Sequence, residues 1–250
     1  MTFRRYVFAA FTALALTAVD ARAQDAPPCA AQSFESSTFT VCRSDPQKQD
    51  IPLADADSSG KALRSFDALA RFLGPDARVD FAMNAGMFDH DGLPIGLYVE
   101  DGVVRHGLNT AAGAGNFYMQ PNGVFSIAGD GKAAIETTSA FAQRQDTPQW
   151  ATQSGPMLVI GGAVNPQISH DGPSHYLRNA VGITTDGTVV FVISDDRVSF
   201  GKLARFMSDT LACRDALYFD GDISSLWQPS AGRKDVKALL GPMIVVTDRR

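Results

Sequence analysis

Basic side chains are in the minority in this 250-residue chain: 22 Lys and Arg stand against 27 Asp and Glu, for a formal net charge of −5. No basic stripe interrupts that balance, which argues against nucleic acid as a partner. Cysteine is scarce, and none of Cys29, Cys42 and Cys213 stands at zinc-ligand spacing, so a metal–thiolate centre is not supported. The histidines add nothing to that: His106, His170 and His175 lie in polar segments without the paired spacing of a helical zinc site. After residue 23 no segment has the ~18 uninterrupted apolar residues that a spanning helix needs. Internal repeats, low-complexity tracts and linkers are also missing, which fits one large domain.

What the chain does have begins at its N-terminus. Arg4 and Arg5 precede an uncharged apolar run from Tyr6 to Val19, and Ala21-Arg22-Ala23 follows as a small-x-small exit. Charge, short apolar run and small-residue exit in that order predict a signal peptide over residues 1–23. The run is short for the alternative, an uncleaved membrane anchor, and the paired arginines fit a twin-arginine signal poorly. Cleavage after residue 23 of 250 would leave 227 residues, and losing three arginines with one aspartate moves the net charge from −5 to −7. The expected location is periplasmic or secreted, with no membrane span after signal removal. An oxidising compartment permits disulfides. Gln32 to Val41 reads as a hairpin turning near Glu35-Ser36, which sets Cys29 opposite Cys42. That pair is the expected bridge, with Cys213 buried and free.

Two helices and a series of short hairpins organise the remainder. From Lys61 to Leu73, Ala62, Leu63, Phe66, Leu69, Ala70 and Leu73 repeat at three- and four-residue steps, with Ser58 and Ser59 as caps and Gly74-Pro75 as a stop. A second helix is expected from Phe200 to Ala212 behind a Ser199 cap. Arg78–Met83 is a strand candidate, and three hairpins follow. Ile95–Val99 and Val103–Arg105 flank Asp101-Gly102; Phe117–Gln120 and Val124–Ile127 flank Pro121-Asn122-Gly123; Ala180–Thr184 and Val189–Ile193 flank Asp186-Gly187. Ser139–Gln149 is a polar surface excursion. Thr188–Ser194, the second helix and Ala216–Phe219 form a strand–helix–strand unit, which predicts two parallel, neighbouring strands. The expected fold is α+β: a single domain on a mixed, mostly antiparallel β-sheet with one βαβ crossover and two main helices.

Such a crossover sets the carboxyl ends of both strands on one sheet edge, where open α/β sheets favour ligands. Ser194-Asp195-Asp196 and Asp220-Gly221-Asp222 leave the strands there. Asp195 and Asp220 are therefore candidate catalytic carboxylates, suited to acid–base work, sugar hydroxyls or a hard metal ion. The segment from Asp220 to Ser225 is the densest polar cluster behind an apolar strand, with a plain turn as its alternative. Asn84-Ala85-Gly86-Met87-Phe88 offers amide donors and a backbone that a ligand can approach, or is simply a turn. Thr152-Gln153-Ser154-Gly155-Pro156 does not match a nucleophile elbow, so Ser154 reads as a hydrogen-bonding residue. Arg178-Asn179 opens a strand, where the guanidinium fork suits phosphate or pairs with one of these aspartates. Asp89-His90-Asp91-Gly92 lacks the later ligands of a calcium loop and counts as a turn.

Asn84-Ala85-Gly86-Met87-Phe88, Gln153-Ser154-Gly155-Pro156, Arg178-Asn179-Ala180-Val181-Gly182 and Asp220-Gly221-Asp222-Ile223-Ser224-Ser225 come in an order that resembles the phosphodiester glycosidase family. The resemblance runs from about Cys29 to Pro242, and Gly115-Asn116-Phe117 is similar to the exported bacterial branch. It implies a hydrolase domain over residues 24–250 that cleaves the glycosidic bond of sugar-1-phosphodiesters in an envelope or extracellular glycan. Its substrate would be a carbohydrate or sugar phosphate. The resemblance implies Asp220, Asp195 and Arg178 as the catalytic set. Asn84, Gly86, Ser154, Gly155, Asn179, Asp222 and Ser224 would bind substrate. No cofactor is required by this reading, and the aspartates leave room for a structural calcium or magnesium ion. Asp222 departs from the Asp-Gly-Gly often found in the family, and its added charge can narrow the pocket or repel an anion. Two other classes stay open: a non-catalytic glycan or phospho-sugar binding protein, and a metal-dependent phosphodiesterase that cuts the phosphate–oxygen bond.

Overall fold

The computed structural model describes residues 27–249, so the expected signal peptide lies outside the described residues. β1 (Cys29–Phe34) and β2 (Ser37–Ser44) form the expected hairpin, with Glu35 and Ser36 at positive φ in its two-residue turn. The register sets Cys29 opposite Cys42, and a disulfide joins them. Cys213 is buried and free, its thiol pushed up to about 12 by that burial.

Two short strands, β3 (Gln49–Asp50) and β4 (Leu53–Ala54), precede α1 (Phe66–Leu73). The helix starts later than its periodicity predicts. Arg64 sits at φ 61°, outside the right-handed helical region, and the Asp57 carboxylate takes the Ser59 and Lys61 amides into a turn. The cap is Ser65, not Ser58 or Ser59; its Oγ accepts from the Ala68 amide at 3.2 Å. β5 (Val79–Asn84) leads to the expected hairpin of β6 (Tyr98–Glu100) and β7 (Val103–His106). The expected strand Phe117–Gln120 is instead a 3-10 turn over Asn116–Tyr118. Asn122 Nδ2 donates to the Phe117 carbonyl at 3.0 Å and curls that segment back on itself. β8 (Gly123–Ile127) pairs with β9 (Ala133–Thr137) and β10 (Trp150–Ser154), with α2 (Thr138–Phe141) following β9.

β11 (Met157–Ile160) and β12 (Ala163–Val164) precede the third expected hairpin, β13 (Asn179–Thr184) and β14 (Val189–Ser194). α3 (Phe200–Arg205) is capped by Ser199, whose Oγ accepts from the Lys202 amide at 3.1 Å. It widens into a π turn over Phe206–Thr210 before β15 (Cys213–Asp220). β16 (Leu226–Gln228), β17 (Arg233–Lys234) and β18 (Met243–Asp248) complete the order.

Three sheets result, ordered β1-β2-β14-β13-β15-β11-β12, β7-β6-β10-β8-β9 and β17-β16-β5-β18-β3. The α+β, largely antiparallel character is as expected, but the neighbouring of the crossover strands is corrected. β14 and β15 run parallel to one another through α3, yet β13 lies between them and pairs antiparallel with both. The apolar run Val189–Ile193 lacks alternation because both faces are covered, a pattern more usual in parallel sheets. Val189, Phe191 and Ile193 face the central core, while Val190 and Val192 pack with α3 residues such as Leu203.

All three sheets contribute to the central core. Phe81 of β5 and Phe125 of β8 meet Phe191 of β14 edge-on, at centroid distances of 5.5 and 5.9 Å. Phe125 also meets Phe219 of β15 at 6.5 Å. On the outer face of the β5 sheet, Phe66 and Leu69 of α1 pack with Ala82, Met243 and Val245. Among the described residues no helix is long and apolar enough to cross a membrane.

The Cys29–Cys42 bridge ties residues 13 apart in sequence. Replacing both cysteines by serine is expected to lower stability by about 3 kcal/mol through the loop entropy restored to the unfolded chain. Thermal melts of the oxidised wild type and the double variant check this, and coincident midpoints would contradict it.

Candidate active site

The ends of β14 and β15 and the start of β13 lie side by side on one edge of the seven-stranded sheet. The end of β5 and the start of β16 meet them from the second sheet. Between Asn179/Ala180 and their partners Asp220/Tyr218 the register slips by one residue. A bulge of this kind bends a strand end and re-aims its side chains.

Two buried asparagines join the sheets at that edge. Asn179 Nδ2 donates to the Asn84 carbonyl at 2.8 Å and to Asn84 Oδ1 at 3.1 Å. Asn179 Oδ1 accepts from the Asp220 amide at 3.1 Å and lies 3.2 Å from Ser224 Oγ. Asn84 Oδ1 accepts from the Ser225 amide at 2.9 Å. Ser224 Oγ also lies 2.6 Å from the Gly221 carbonyl, and Ser224 is fully buried. This network fixes the backbone on both sides of Asp220.

Asp220 is the group left available. Its Oδ1 accepts from the Gly221 amide at 2.6 Å, while Oδ2 has no protein partner among the described residues. Burial pushes its carboxyl up to about 6 from the ordinary 3.8, against the smaller opposing pull of the Gly221 amide. A carboxyl with that midpoint is ionised at neutral pH yet basic enough to take a proton.

Arg178 lies beneath this edge, fully buried, with its guanidinium 3.6 Å from the centroid of Phe200. Nε donates to the Val198 carbonyl at 2.9 Å, Nη1 to Tyr218 Oη at 3.2 Å, and Nη2 to Ser174 at 2.9 and 3.0 Å. Among the described residues no carboxylate pairs with it directly. Burial lowers its pKa, and the neighbouring Tyr218 partly offsets this. Arginine stays charged under such shifts, so a cation is stored here under an aromatic cover.

The other predicted residues divide. Ser154 is fully buried and its hydroxyl donates to the Phe219 carbonyl at 2.7 Å, a hydrogen-bonding role as expected. Gly86 and Gly155 are sites of close approach within the protein: a Cβ at Gly86 would collide with Thr152 Oγ1 and the Gln153 carbonyl. At Gly155 it would come 2.6 Å from Asn122 Cβ. Asp222 is exposed and reaches Arg197 at 3.6 Å. Asp195 is engaged on the β2 side, with Arg233 Nη1 at 2.9 Å on Oδ1 and Thr40 Oγ1 at 2.8 Å on Oδ2. The structure does not bring it into the Asp220 network. Asp89 behaves as a turn residue, its Oδ1 accepting from the Asp91 and Leu93 amides. Asp89, His90 and Asp91 are the one cluster of three metal-ligating side chains among the described residues, and two of the three are exposed.

Tyr218 and Arg197 were missed by sequence reasoning. Tyr218 sits inside an apolar strand, and only its place two residues before Asp220 hints at a role. A cleft of about 1060 Å³ lies elsewhere, around Asp50, Asp76, Arg78, Asp248 and Arg249. Arg249 and Asp50 pair there at 2.8 Å, and none of the candidate site residues singled out from the sequence lines it.

Comparison with known proteins bears on the family and the fold. The sequence pattern of the phosphodiester glycosidase family matches residues 77–243, which contain the whole Asn84–Asn179–Asp220–Ser224 network. The uncharacterized protein YigE of Escherichia coli K12 is 36% identical over 214 residues, covering 86% of this chain and 83% of that protein. The catalytic domain of zebrafish N-acetylglucosamine-1-phosphodiester alpha-N-acetylglucosaminidase, solved auto-inhibited by its pro-peptide, superposes with a TM-score of 0.62. That match has 13% identity and covers 90% of this chain and 85% of the zebrafish one. A candidate exported protein of Burkholderia pseudomallei superposes with a TM-score of 0.56 at 13% identity, over 84% of this chain and 74% of that one. The chain belongs to the phosphodiester glycosidase family.

Proposed function

We propose that the protein is an exported hydrolase that cleaves the bond between a sugar's anomeric carbon and a phosphodiester oxygen. The observation that carries this reading is Asp220: a half-buried carboxyl, raised to about 6, with one oxygen lacking a protein partner among the described residues, at a strand end that a hydrogen-bond network holds still. In its ionised form Asp220 takes a proton from water as the water oxygen attacks the anomeric carbon. The carbon–oxygen bond to phosphate breaks, and the phosphomonoester departs with the electron pair. Phosphate is a good leaving group, so a second carboxyl acid is not demanded, which suits the engagement of Asp195 by Arg233 and Thr40. Asn84, Asn179 and Ser224 keep the Asp220 backbone in place. The Arg178 charge, passed outward through Tyr218, favours phosphate over a neutral leaving group.

Export is supported by the signal pattern of residues 1–23 and by the Cys29–Cys42 disulfide, which suits an oxidising compartment. An envelope or extracellular glycan carrying sugar-1-phosphodiesters is the proposed substrate class.

A product assay against a panel of sugar-1-phosphodiesters tests the reaction. Wild type is expected to release free sugar, and Asp220→Asn to lose activity by roughly 10²–10⁴-fold. With Asp220 as base, kcat/KM climbs with pH through about 6 and that limb disappears in the variant. Saturable binding without turnover, unaffected by Asp220→Asn, would make this a binding protein. Solvent oxygen-18 appearing in the phosphate instead of the sugar would make it a phosphodiesterase.

The same carboxyl links function to stability. A folded-state midpoint above the unfolded one means that the native protein holds its proton more tightly, so this contribution to stability is present below pH ~4 and is lost as pH rises through about 6. Asp220→Asn is therefore expected to stabilise the fold at pH 7.5, by up to ~3 kcal/mol, and to change it little below pH 4. Melting curves at both pH values read this directly; a variant destabilised at pH 7.5 would contradict it.

A further inference from the structure

A phosphate needs donors that reach solvent, and those of Arg178 are nearly all spent inside the protein. Arg197, in the loop between β14 and α3, is differently placed. Its side chain is 62% exposed, and it shares the Tyr176 ring with Arg178, the two guanidinium carbons lying 5.8 and 5.5 Å from the ring centroid. Arg197 Nη1 lies 3.6 Å from Asp222 Oδ1 and 3.4 Å from the His175 carbonyl. Both are longer than a strong charged hydrogen bond. Its Nε and Nη2 have no protein partner among the described residues. Asp222 stands two residues after Asp220 and two before Ser224, and its charge acts on both Arg178 and Tyr218. The Arg197–Asp222 pair thus forms an outer, exposed layer over the buried Arg178–Tyr218 layer, next to the loop that carries Asp220.

We propose that Arg197 is the residue that binds the substrate phosphate, and that Asp222 is its resident competitor, displaced from the guanidinium when phosphate arrives. This rests on the sugar-phosphodiester reading above and names the side chain that performs its anion recognition. An exposed ion pair at this length contributes little, so a phosphate that offers two oxygens to the free edge of the fork replaces it readily. Arg178 is then a positioning residue, acting through Tyr218 and without direct contact to the phosphate. Asp222 sets the threshold for anions: a weakly held monoanion fails to displace it, whereas an anion that bridges the fork succeeds.

The test titrates inorganic phosphate into the purified protein by calorimetry at constant ionic strength. Wild type is compared with Arg197→Ala, Arg197→Lys, Asp222→Asn and Lys237→Ala. Lys237 is the control cation, because its Nζ lies 3.4 Å from the Ser224 carbonyl beside the same loop. Arg197→Ala is expected to weaken phosphate by about tenfold or more, with Arg197→Lys intermediate. Asp222→Asn tightens it by a few-fold as the competing charge goes, and Lys237→Ala matches wild type. Both members of the pair are exposed, so melting midpoints should stay close to wild type and report on folding separately. Equal affinity in wild type and Arg197→Ala overturns the proposal, as does wild type that binds no phosphate, or loss of binding in Lys237→Ala alone. Phosphate binding that depends on Arg197, in a protein that releases no sugar from any phosphodiester, upholds this site and overturns the hydrolase reading instead.

Discussion

The mutual hydrogen bonding of Asn84 and Asn179 is the constraint on which the rest of this structure depends. Each amide is out of contact with water, and each satisfies buried backbone groups as well as its partner. An unsatisfied buried polar group costs ~1–3 kcal/mol, so neither side chain can be lost alone without stranding amides of Asp220 or Ser225. The pair therefore does two jobs with one set of bonds. It locks the β5–β16 sheet to the β13–β15 sheet, and it fixes the strand end from which Asp220 projects.

Below that clamp, the aromatic contacts of Phe81, Phe125, Phe191 and Phe219 bind all three sheets into one dry core. Burial is also what raises the Asp220 midpoint, so the chemistry and the packing have a common source. On the other face of the seven-stranded sheet, Phe200, Tyr176 and Tyr218 enclose the Arg178 cation, which remains a step away from the Asp220 carboxyl. The site has a graded depth: a neutral asparagine network at the sheet junction, a titratable carboxyl at the edge, and an exposed ion pair outside it. The stability penalty of this carboxyl falls on the one side chain to which the proposed reaction gives the role of base, a common placement for local instability.

Much of this was legible in the sequence wherever the signal was local. The Glu35-Ser36 turn, the Cys29–Cys42 pairing, the Asp101-Gly102 and Asp186-Gly187 hairpins and the Ser199 cap each depend on a few adjacent residues. The failures came where a distant partner or an unusual dihedral decided the outcome. Periodicity could not reveal that Arg64 adopts φ 61°, nor that Asn122 would turn back to the Phe117 carbonyl. The apolar run in β14 looked like a strand beside a parallel partner because it is covered on both faces, and β13 takes the intervening place. At the site, the motif residues were found but their tasks were not separable. Asn84, Asn179 and Ser154 are spent on internal hydrogen bonds, and Asp195 is engaged by Arg233 and Thr40, whereas Asp220, held at a strand end by that network, keeps one oxygen without a protein partner among the described residues. Only three-dimensional neighbours make that distinction.

The central claim is that the fold itself, before any substrate binds, holds Asp220 as a base matched to neutral pH. Following the Asp220 side-chain carboxyl carbon by nuclear magnetic resonance through a pH titration of the free protein tests it most directly. A midpoint close to 6 is predicted. A midpoint near the ordinary 3.8 would show a solvated carboxylate with no special basicity, and would contradict both the assigned role and the burial that is held to create it.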